Sequence, residues 1–571
     1  MPVRVSRPRR TAYITFADGR VFSAPVGTPL RDYVEAATAG DDQPPAIAAI
    51  LDGKLTELAR AVRRDAQAEL VRINSADGAR IYRRSLTFLL IAVAGRCFPT
   101  AKVYVEHSIT SGGYYCRITG RPPFSPAELA TLAQEMAAVV DQDLPIARQE
   151  VPLLEAVALF RAAGDHEKVA LLEQRRKPTL IVYKLLDTQD YFHGYMAPST
   201  GTLRYFALEP AEEGFLLRFP RQGAATEIAP LSISPPMFAV FTEYSEWLHT
   251  LGIRNVSGLN AAIAAGRLTE VILVTEALHE QRISDMAAQI ASRRQQARII
   301  LIAGPSASGK TTTARRLAVR LLALGLHPFA ISIDDFFHDR AHTPRDASGA
   351  YDFESLYAVD LPFLNHTLNQ LVAGEPVQMP RFDFQLGQRL PGPSVRIRPD
   401  HVLILEGIHG LNPDLLPEVD PALCYRIYVS ALTQLNLDRY NRISTTDTRL
   451  IRRIVRDART RGYSAADTIA RWESVRLGER AWIFPFQERA DAMFNSALTY
   501  ELAVLRPLVE PILRQIDQNT VEWIEANRLL ARLQWFQQTD SEHVPSDSIL
   551  REFIGGSILH DYRPWPVVSG Q

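Results

Sequence analysis

Residues 298–317 read RIILIAGPSASGKTTTARRL, and this stretch decides the fold of the second half of the chain. An apolar, strand-like run precedes the pattern G-x-x-x-x-G-K-[ST], and a helix-prone run follows it. The glycines let successive backbone N–H groups point at nucleotide phosphates, while the following helix adds partial positive charge at its N-terminus. We expect Lys310 to reach the β- and γ-phosphate oxygens of ATP and Thr311 to bind Mg²⁺. The predicted ATP-binding loop comprises Gly304, Pro305, Ser306, Ala307, Ser308, Gly309, Lys310, Thr311 and Thr312.

Apolar runs that alternate with helical patterns continue beyond this loop, in HPFAISID, HVLILEG and CYRIYVS. Strands that are apolar on both faces and separated by helices are typical of a parallel sheet covered by helices on both sides. We therefore expect an α/β fold with a doubly wound parallel sheet. The chemistry of such folds lies at the carboxyl ends of the strands.

Acidic residues end two of these runs: Asp334 and Asp335 in ISIDD, and Glu406 in HVLILE. A carboxylate at this edge can accept the proton of an attacking hydroxyl, although an Asp there can also serve as a helix N-cap. Two adjacent Asp residues allow one of each role. Glu406 is placed to organise Mg²⁺ or its water ligands.

An arginine-rich segment, DTRLIRRIVRDARTRGY, follows the last of these predicted strands. Its arginines recur at spacings of three and four, so that several share one helix face. Such a face can close over phosphates as a lid, although an Arg-rich helix can also be an ion-paired solvent surface. The arginines concerned are Arg449, Arg452, Arg453, Arg456, Arg459 and Arg461.

Six blocks in this order, GPSASGKTT, ISIDDFF, YDFESLYAVD, PRFDFQLGQR, LILEG and DTRLIRRIVRDARTRG, resemble the uridine kinase (uridine–cytidine kinase) and phosphoribulokinase-like family of P-loop kinases, over about residues 298–500. The resemblance implies ATP as phosphoryl donor, Mg²⁺, and Asp334 as catalytic base for a ribose 5′-hydroxyl. It also implies that Lys310, Arg453 and Arg456 are catalytic residues, and that Thr311 and Glu406 bind Mg²⁺ directly or through water. The implied substrate and lid residues are Asp352 at the ribose hydroxyls, Phe382 and Phe384 at the nucleobase, and the lid arginines Arg453, Arg456 and Arg461.

Two positions depart from that family. Gly387 stands where uridine–cytidine kinases usually carry a His that reads the pyrimidine edge, and Arg471 stands where a Gln is usual. Glycine has no side chain for base recognition, so we expect broadened or redirected choice of the base. Ribose recognition depends on neither position.

The front half carries a second resemblance. ADGRVFSAPVGTPLRDYVEAA is similar to the TGS domain, a ubiquitin-like β-grasp module, and residues 80–225 resemble the second additional domain of threonyl-tRNA synthetase. At the four positions where that synthetase domain binds metal with His and Cys, this chain has Arg84, Phe88, Phe192 and Met196. These side chains do not make a Zn²⁺ site, so we expect no editing hydrolase.

Other features of the front half are less specific. The lone histidines His107 and His193 are more often structural than ligands in a globular domain. The short basic runs RAVRRDAQ and YRRS are typical of solvated faces, although they could meet an acidic partner. A scaffold, a dimer surface, a regulatory ligand site and RNA contact remain open as roles for this half.

The whole chain has 571 residues, which is too long for one hydrophobic core. Its 63 Lys and Arg balance 64 Asp and Glu, which argues against a generic polyanion binder. Three scattered cysteines and the lack of a secretory pattern predict a reducing cytoplasm. The run LTFLLIAVAG is too short to cross a bilayer, so we expect a core helix and no membrane association.

These patterns predict five segments: 1–75 TGS-like, 76–225 synthetase-like without metal ligands, 226–297 a helical connector, 298–510 the P-loop kinase, and 511–571 a helical tail. The predicted activity is ATP-dependent phosphorylation of a ribonucleoside 5′-hydroxyl, with uridine or cytidine as the model. The alternatives are a kinase of another ribosyl or sugar-phosphate acceptor, and an RNA-associated protein with a nucleotide switch. A homo-oligomer is compatible with the sequence.

Overall fold

The computed structural model describes residues 9–211, 213–232, 234–346, 349, 351–383, 386–398, 400–433 and 435–562. It confirms the predicted fold class, a mixed α/β chain in which two smaller α/β modules precede a parallel sheet of the P-loop kinase type. None of the helices described in these ranges is long and apolar enough to cross a membrane.

The first module is a five-stranded sheet with one helix, and its strand order is β2-β1-β5-β3-β4. Strand β1 alternates buried and exposed side chains, so that Ala12, Ile14 and Phe16 point into the core, and the turn after it contains Gly19 at φ 83°. Strand β1 runs parallel to β5 and antiparallel to β2, as in a β-grasp fold. Its elements are β1 (Thr11–Phe16), β2 (Val21–Pro25), α1 (Leu30–Thr38), β3 (Ala46–Leu51), β4 (Lys54–Glu57) and β5 (Ala66–Arg72).

The second module packs two further sheets around α2, the helix that contains the apolar run 86–95. The predicted core helix is confirmed, since most of that run is buried. The sheets have the orders β11-β12-β7-β6 and β10-β9-β8. The elements are α2 (Ala76–Cys97), β6 (Lys102–Ile109), β7 (Gly113–Thr119), α3 (Pro126–Asp141), β8 (Ala147–Pro152), α4 (Leu153–Ala162), α5 (His166–Glu173), β9 (Thr179–Leu185), β10 (Thr188–Asp190), β11 (Ala207–Ala211) and β12 (Gly214–Arg218).

Three helices then lead into the kinase part, and the predicted connecting helix is the last and longest of them. They are α6 (Pro235–Thr250), α7 (Val256–Ala264) and α8 (Leu268–Ser292). Helix α8 packs against the helix that follows the P-loop.

A five-stranded, all-parallel sheet of order β14-β17-β13-β18-β19 forms the centre of the kinase part. Its strands are nearly fully buried because helices cover both faces. Its elements are β13 (Ile299–Ala303), α9 (Lys310–Ala323), β14 (His327–Ser332), α10 (Leu361–Val372), the hairpin β15 (Val377–Asp383) and β16 (Gln388–Val395), β17 (His401–Glu406), β18 (Cys424–Ser430), α11 (Thr445–Thr460), α12 (Ala465–Ala470), α13 (Trp472–Trp482), β19 (Ala492–Asn495) and α14 (Glu501–Leu513).

The tail continues with α15 (Glu522–Leu533) and a short helix α16 (Arg551–Ile554). It packs onto the kinase part, and Ile549, Leu550 and Phe553 are fully buried. One hydrophobic core therefore includes residues of the tail, the kinase sheet and the second module.

A connection after β18 ties the kinase to the front half. The Asn436 side-chain amide donates to the carbonyls of Val105 and Glu106 at 3.1 Å, and the Val105 amide donates to the Arg439 carbonyl at 2.9 Å. Arg439 also forms an ion pair with the buried Asp165. The five predicted segment boundaries stay a prediction, and these contacts join the two halves directly.

Candidate active site

The P-loop wraps tightly between β13 and α9. Gly304 has φ 156° and Gly309 has φ 86°, and a Cβ on Gly304 would lie 1.9 Å from the Val429 carbonyl oxygen. Ala307 takes a left-handed φ of 58°, which is strained for a residue with a side chain and is common at functional loops. The backbone thus has the curled form that phosphate binding requires.

Oxygen ligands for a divalent cation meet at the edge of the sheet. The Thr311 hydroxyl donates to Glu406 Oε1 at 3.0 Å, because the loop after β13 and the end of β17 lie side by side. Glu406 also pairs in register with Ser332 on β14, two residues before Asp334. The predicted residues Thr311, Glu406 and Asp334 therefore converge on one edge.

The electrostatics of this edge tie the predicted groups together. Burial raises the pKa of Asp334, and the charges of Lys310, Arg461 and Arg456 act in the opposite direction. Burial and the Asp334 carboxylate raise the pKa of Glu406 to about 7. Burial lowers the pKa of Lys310. Two carboxylates, a lysine and the predicted lid arginines therefore lie within electrostatic range of one another at this edge, which we call the cleft.

Asp334 and Asp335 have different surroundings, and a hydrogen bond of Asp335 goes to a strand rather than to a helix N-terminus. Asp335 Oδ1 accepts the Phe382 backbone N–H at 3.0 Å and so holds strand β15 in place. Asp334 is half-buried and faces the charged groups of the cleft.

The arginines of α11 fall into two groups with different contacts. Arg449 and Arg452 are buried, pair with Glu479 and Glu501, and donate to the backbone of Ser306 and Ala307. They support the P-loop backbone, and they are not among the three arginines that the resemblance assigns to the lid. Their guanidinium groups therefore serve as hydrogen-bond donors to the loop backbone and not as part of a solvent-exposed surface.

The remaining arginines of the segment face the cleft or the tail. Arg453 Nη1 donates to the Ser306 hydroxyl at 2.8 Å, and Arg453, Arg456 and Arg461 all lie within ion-pair distance of the buried Asp457 carboxylate. Arg459 instead donates to tail carbonyls. The predicted lid arginines therefore come together, held by one carboxylate that the sequence did not single out.

The residues predicted to contact the phosphoryl acceptor show little in their contacts that points to substrate binding. Asp352 is half-buried, and its carboxylate accepts the Glu354 backbone N–H at 3.1 Å. Phe382 is buried against Phe337, with ring centroids 5.7 Å apart, so its contact with a nucleobase stays a prediction. Phe384 lies outside the described residues.

Gly387 does not leave open space. It has φ 67°, and a Cβ there would lie 2.7 Å from Arg340 Nε, so a guanidinium group fills the place of the expected base-reading side chain. Arg471 is exposed and stacks on Tyr463 at 4.5 Å.

Two acidic residues of the cleft escaped sequence reasoning. Burial and the carboxylates of Glu479 and Asp334 raise the pKa of Glu354 to about 7, while the nearby Arg453 and Lys310 act the other way. Glu479 accepts the Ser306 backbone N–H at 3.0 Å. Glu354 stood in the quoted block YDFES, two positions from Asp352, whereas nothing in the sequence marked Glu479.

The four front-half positions that replace metal ligands also come together. The Phe88 and Phe192 rings lie 5.2 Å apart, Arg84 donates to the Tyr195 carbonyl, and Met196 Sδ lies 3.9 Å from the Ser85 hydroxyl. No group of three or more His, Cys, Asp or Glu side chains suited to a metal occurs in the part of the chain that the structure describes. His107 is buried and stacked on Phe241 at 4.1 Å, a structural role.

Comparison with known proteins finds separate matches for the two halves of the chain. Residues 299–503 match the Phosphoribulokinase / Uridine kinase family. The match includes the P-loop, Asp334, Glu406 and the arginine helix. A solved structure of a possible uridine kinase from Bacillus stearothermophilus is 21% identical and covers 38% of this chain and 97% of that chain, with a TM-score of 0.26.

The N-terminal half is similar to threonine–tRNA ligases. The ligase of Anaeromyxobacter dehalogenans is 30% identical over 193 residues, and that of Teredinibacter turnerae is 34% identical over 163 residues. These matches cover 33% and 28% of this chain, but only 30% and 25% of the relatives. The chain thus spans less than a third of the length of these ligases, and both predicted resemblances are confirmed.

Proposed function

We propose that the C-terminal half is an ATP-dependent kinase that transfers the γ-phosphoryl group to the 5′-hydroxyl of a ribonucleoside. The carrying observation is the convergence of Asp334 with Lys310 and the Arg453–Arg456 helix at the carboxyl edge of the parallel sheet. A phosphate loop, a base and a set of arginines are the parts that phosphoryl transfer needs.

In this reaction the acceptor oxygen forms a bond to the γ-phosphorus, and the bond from that phosphorus to the β–γ bridging oxygen breaks. The acceptor proton passes to the Asp334 carboxylate, and ADP leaves. Because burial raises the pKa of Asp334, the carboxylate is a better proton acceptor than an exposed one. Lys310 and the lid arginines balance the charge on the transferring group.

The Thr311 hydroxyl and the Glu406 carboxylate fit Mg²⁺, because both are hard oxygen donors 3.0 Å apart beside the loop. Burial and, after it, the Asp334 carboxylate raise the pKa of Glu406, and a bound cation would offset the repulsion between the two carboxylates. When bound, the ion would draw charge from the β- and γ-phosphate oxygens.

A second acceptor class is favoured by Arg340. Its guanidinium group lies against Gly387, on the side where the family reads the base. A guanidinium group recognises phosphate or carboxylate better than a pyrimidine edge. A sugar-phosphate acceptor is therefore the alternative substrate.

Radiolabelled ATP and a panel of ribonucleosides and sugar phosphates test the proposal. We expect a labelled monophosphate from at least one ribonucleoside, and we expect Asp334→Asn to lose transfer while still binding ATP. Arg340→Gln should weaken a sugar-phosphate acceptor and leave a nucleoside acceptor unchanged. ATP hydrolysis without any labelled small molecule would contradict the kinase proposal and favour a nucleotide switch.

A further inference from the structure

The basic run YRRS, which the kinase chemistry does not use, does not form a solvated face. Arg83 and Arg84 are half-buried on α2 and line a cavity of about 190 Å³ between the front half and the kinase half. Residues 440–447, α13 and α15 form the other walls. We name this cavity the arginine pocket, after the arginines that line it: Arg80, Arg83, Arg84, Arg442, Arg476, Arg528 and Arg532.

Positive charge exceeds negative charge in this pocket. Asp447 is the one carboxylate among its described lining residues. Asp77 pairs with Arg80, Glu473 pairs with Arg476, and Glu525 pairs with both Arg80 and Arg528. These four carboxylates face seven guanidinium groups, so the arginine pocket carries a net positive charge.

Three of the arginines have no acidic partner within the described ranges. Arg83 Nε donates to the Ala79 carbonyl, Arg84 Nη1 to the Tyr195 carbonyl, and Arg442 Nε to the Glu106 carbonyl. Each guanidinium has further N–H groups that can bind an anion. Partly buried cations without counter-charges are costly, so an anionic ligand would stabilise them.

The pKa values reflect this crowding. Burial, followed by the charges of Arg84 and Arg80, lowers the pKa of Arg532 to about 9. Burial and the charges of Arg80 and Arg528 lower the pKa of Arg84 to about 10. Like charges thus repel one another across the pocket.

A second cavity of about 560 Å³ adjoins the arginine pocket and shares Arg80, Arg84 and Arg528 with it. Aromatic side chains line this cavity, which we name the aromatic groove; they are Tyr191, Phe192, Tyr195, Trp523 and Trp535. Sites for whole small molecules measure about 300–1,000 Å³, so the groove suits the body of a ligand and the smaller pocket suits its charged head.

We propose that the arginine pocket and the aromatic groove together bind a nucleotide that carries two or three phosphates, at a site separate from the P-loop. The phosphates contact Arg83, Arg84 and Arg442, because guanidinium groups bind phosphate oxygens in pairs. The base lies in the aromatic groove against the half-buried rings of Tyr195 and Trp523, while Tyr191, Phe192 and Trp535 are buried and form its floor.

This site adjoins the helix that carries the lid arginines. Asp447 lies in the first turn of α11 and accepts two hydrogen bonds from Arg528, at 2.7 and 2.9 Å. Arg453 and Arg456 lie further along the same helix. Phosphates in the pocket would compete with Asp447 for Arg528, so occupancy of the site is linked to the position of α11.

The test uses the full chain with Lys310→Ala, which weakens the P-loop site. Isothermal titration with inorganic pyrophosphate and with the nucleoside mono-, di- and triphosphates measures what remains. We expect one nucleoside di- or triphosphate to bind per chain, more tightly than the monophosphate and less tightly at high salt.

The variant pair Arg83→Gln and Arg442→Gln, added together to Lys310→Ala, should weaken this binding by about tenfold or more, since hydrogen bonds to charged groups are lost. The matched control is Arg64→Gln, an arginine whose side chain is 81% exposed on the first module. It should leave the affinity unchanged.

Hydrogen exchange on the unsubstituted chain supplies a measurement that needs no folded variant. With ADP present, we expect protection at residues 80–84, 440–447 and 528–532 in addition to the P-loop. Protection confined to the P-loop, unchanged affinity in the double variant, or binding of an RNA strand but of no free nucleotide would each overturn the proposal.

Discussion

Glu552 of the tail accepts two hydrogen bonds from Thr312, from the backbone N–H at 3.1 Å and from the hydroxyl at 2.8 Å. Thr312 lies in the first turn of α9, where a P-loop presents its N–H groups to phosphate. A carboxylate of the same chain therefore occupies a donor pair suited to a nucleotide phosphate. The tail, to which the sequence assigned no chemistry, reaches the ATP loop.

Replacing Glu552 should strengthen ATP binding. Glu552→Gln removes a negative charge that competes with phosphate, so we expect the KM for ATP to fall by up to about tenfold, which corresponds to one charge-assisted hydrogen bond. Steady-state kinetics with varied ATP measure the change. Glu542→Gln, an exposed carboxylate of the same tail, is the control. An unchanged or higher KM in Glu552→Gln would show that the contact does not oppose ATP.

Asp457 should position the lid arginines. Its buried carboxylate lies within ion-pair distance of Arg453, Arg456 and Arg461. In Asp457→Asn these groups lose their common anchor, so we expect kcat to fall by about tenfold or more with a smaller change in the Kd for ATP. Asp285→Asn, an exposed site on α8, serves as the comparison. A drop in ATP affinity with normal kcat would assign Asp457 to nucleotide binding instead.

The raised pKa of Glu354 gives a pH-dependent stability. Its pKa rises from the ordinary 4.5 to about 7, so the folded chain binds more protons than the unfolded chain between these values. This contribution to stability is complete below about pH 4.5 and is lost as the pH rises through 7. Its upper limit is about 3.5 kcal/mol, from about 1.4 kcal/mol for each pKa unit.

Glu354→Gln removes that dependence. The difference in Tm, variant minus unsubstituted chain, should be larger at pH 8 than at pH 5. At pH 8 the unsubstituted chain carries a buried charge on Glu354 that the variant lacks. Thermal melts at both pH values measure the difference. An equal Tm difference at pH 5 and pH 8 would contradict the raised pKa.

Replacing Gly478 by alanine should not stabilise the chain, although alanine usually stabilises a helix relative to glycine. A Cβ on Gly478 of α13 would lie 2.2 Å from Glu354 Cβ, so Gly478→Ala must displace Glu354 from the cleft. We expect lower kcat and no gain in stability. Gly95→Ala in α2, where a Cβ meets nothing within 4 Å, should instead stabilise the chain by roughly 0.5–1 kcal/mol. Equal gains for both substitutions would show that α13 can shift away from Glu354.

The parts of the site that sequence could predict are those fixed by local pattern. The P-loop needs two glycines, a lysine and a threonine at set spacing between a strand and a helix, and Asp334 and Glu406 stand directly after apolar strands. Each of these requirements involves residues close together in the chain, so it can be recognised in the sequence alone. Glu479 and Glu552 could not be found in this way, because they reach the loop from segments more than 150 residues away in sequence.

By itself, the sequence determined that this chain has a nucleotide loop on a parallel sheet, and that Arg84, Phe88, Phe192 and Met196 stand at the four metal-ligand positions of the similar synthetase domain. Hydrophobic period, glycine placement and residue identity are local properties. Only the tertiary structure decided which groups the charged side chains contact. It brought Arg449 to the Ser306 carbonyl and Arg453 to the Ser306 hydroxyl, and it made Arg83 and Arg84 part of the wall of a cationic cavity. Whether an arginine lies in solvent, in an ion pair or in a pocket depends on what packs against it, and the packing partners are distant in the chain.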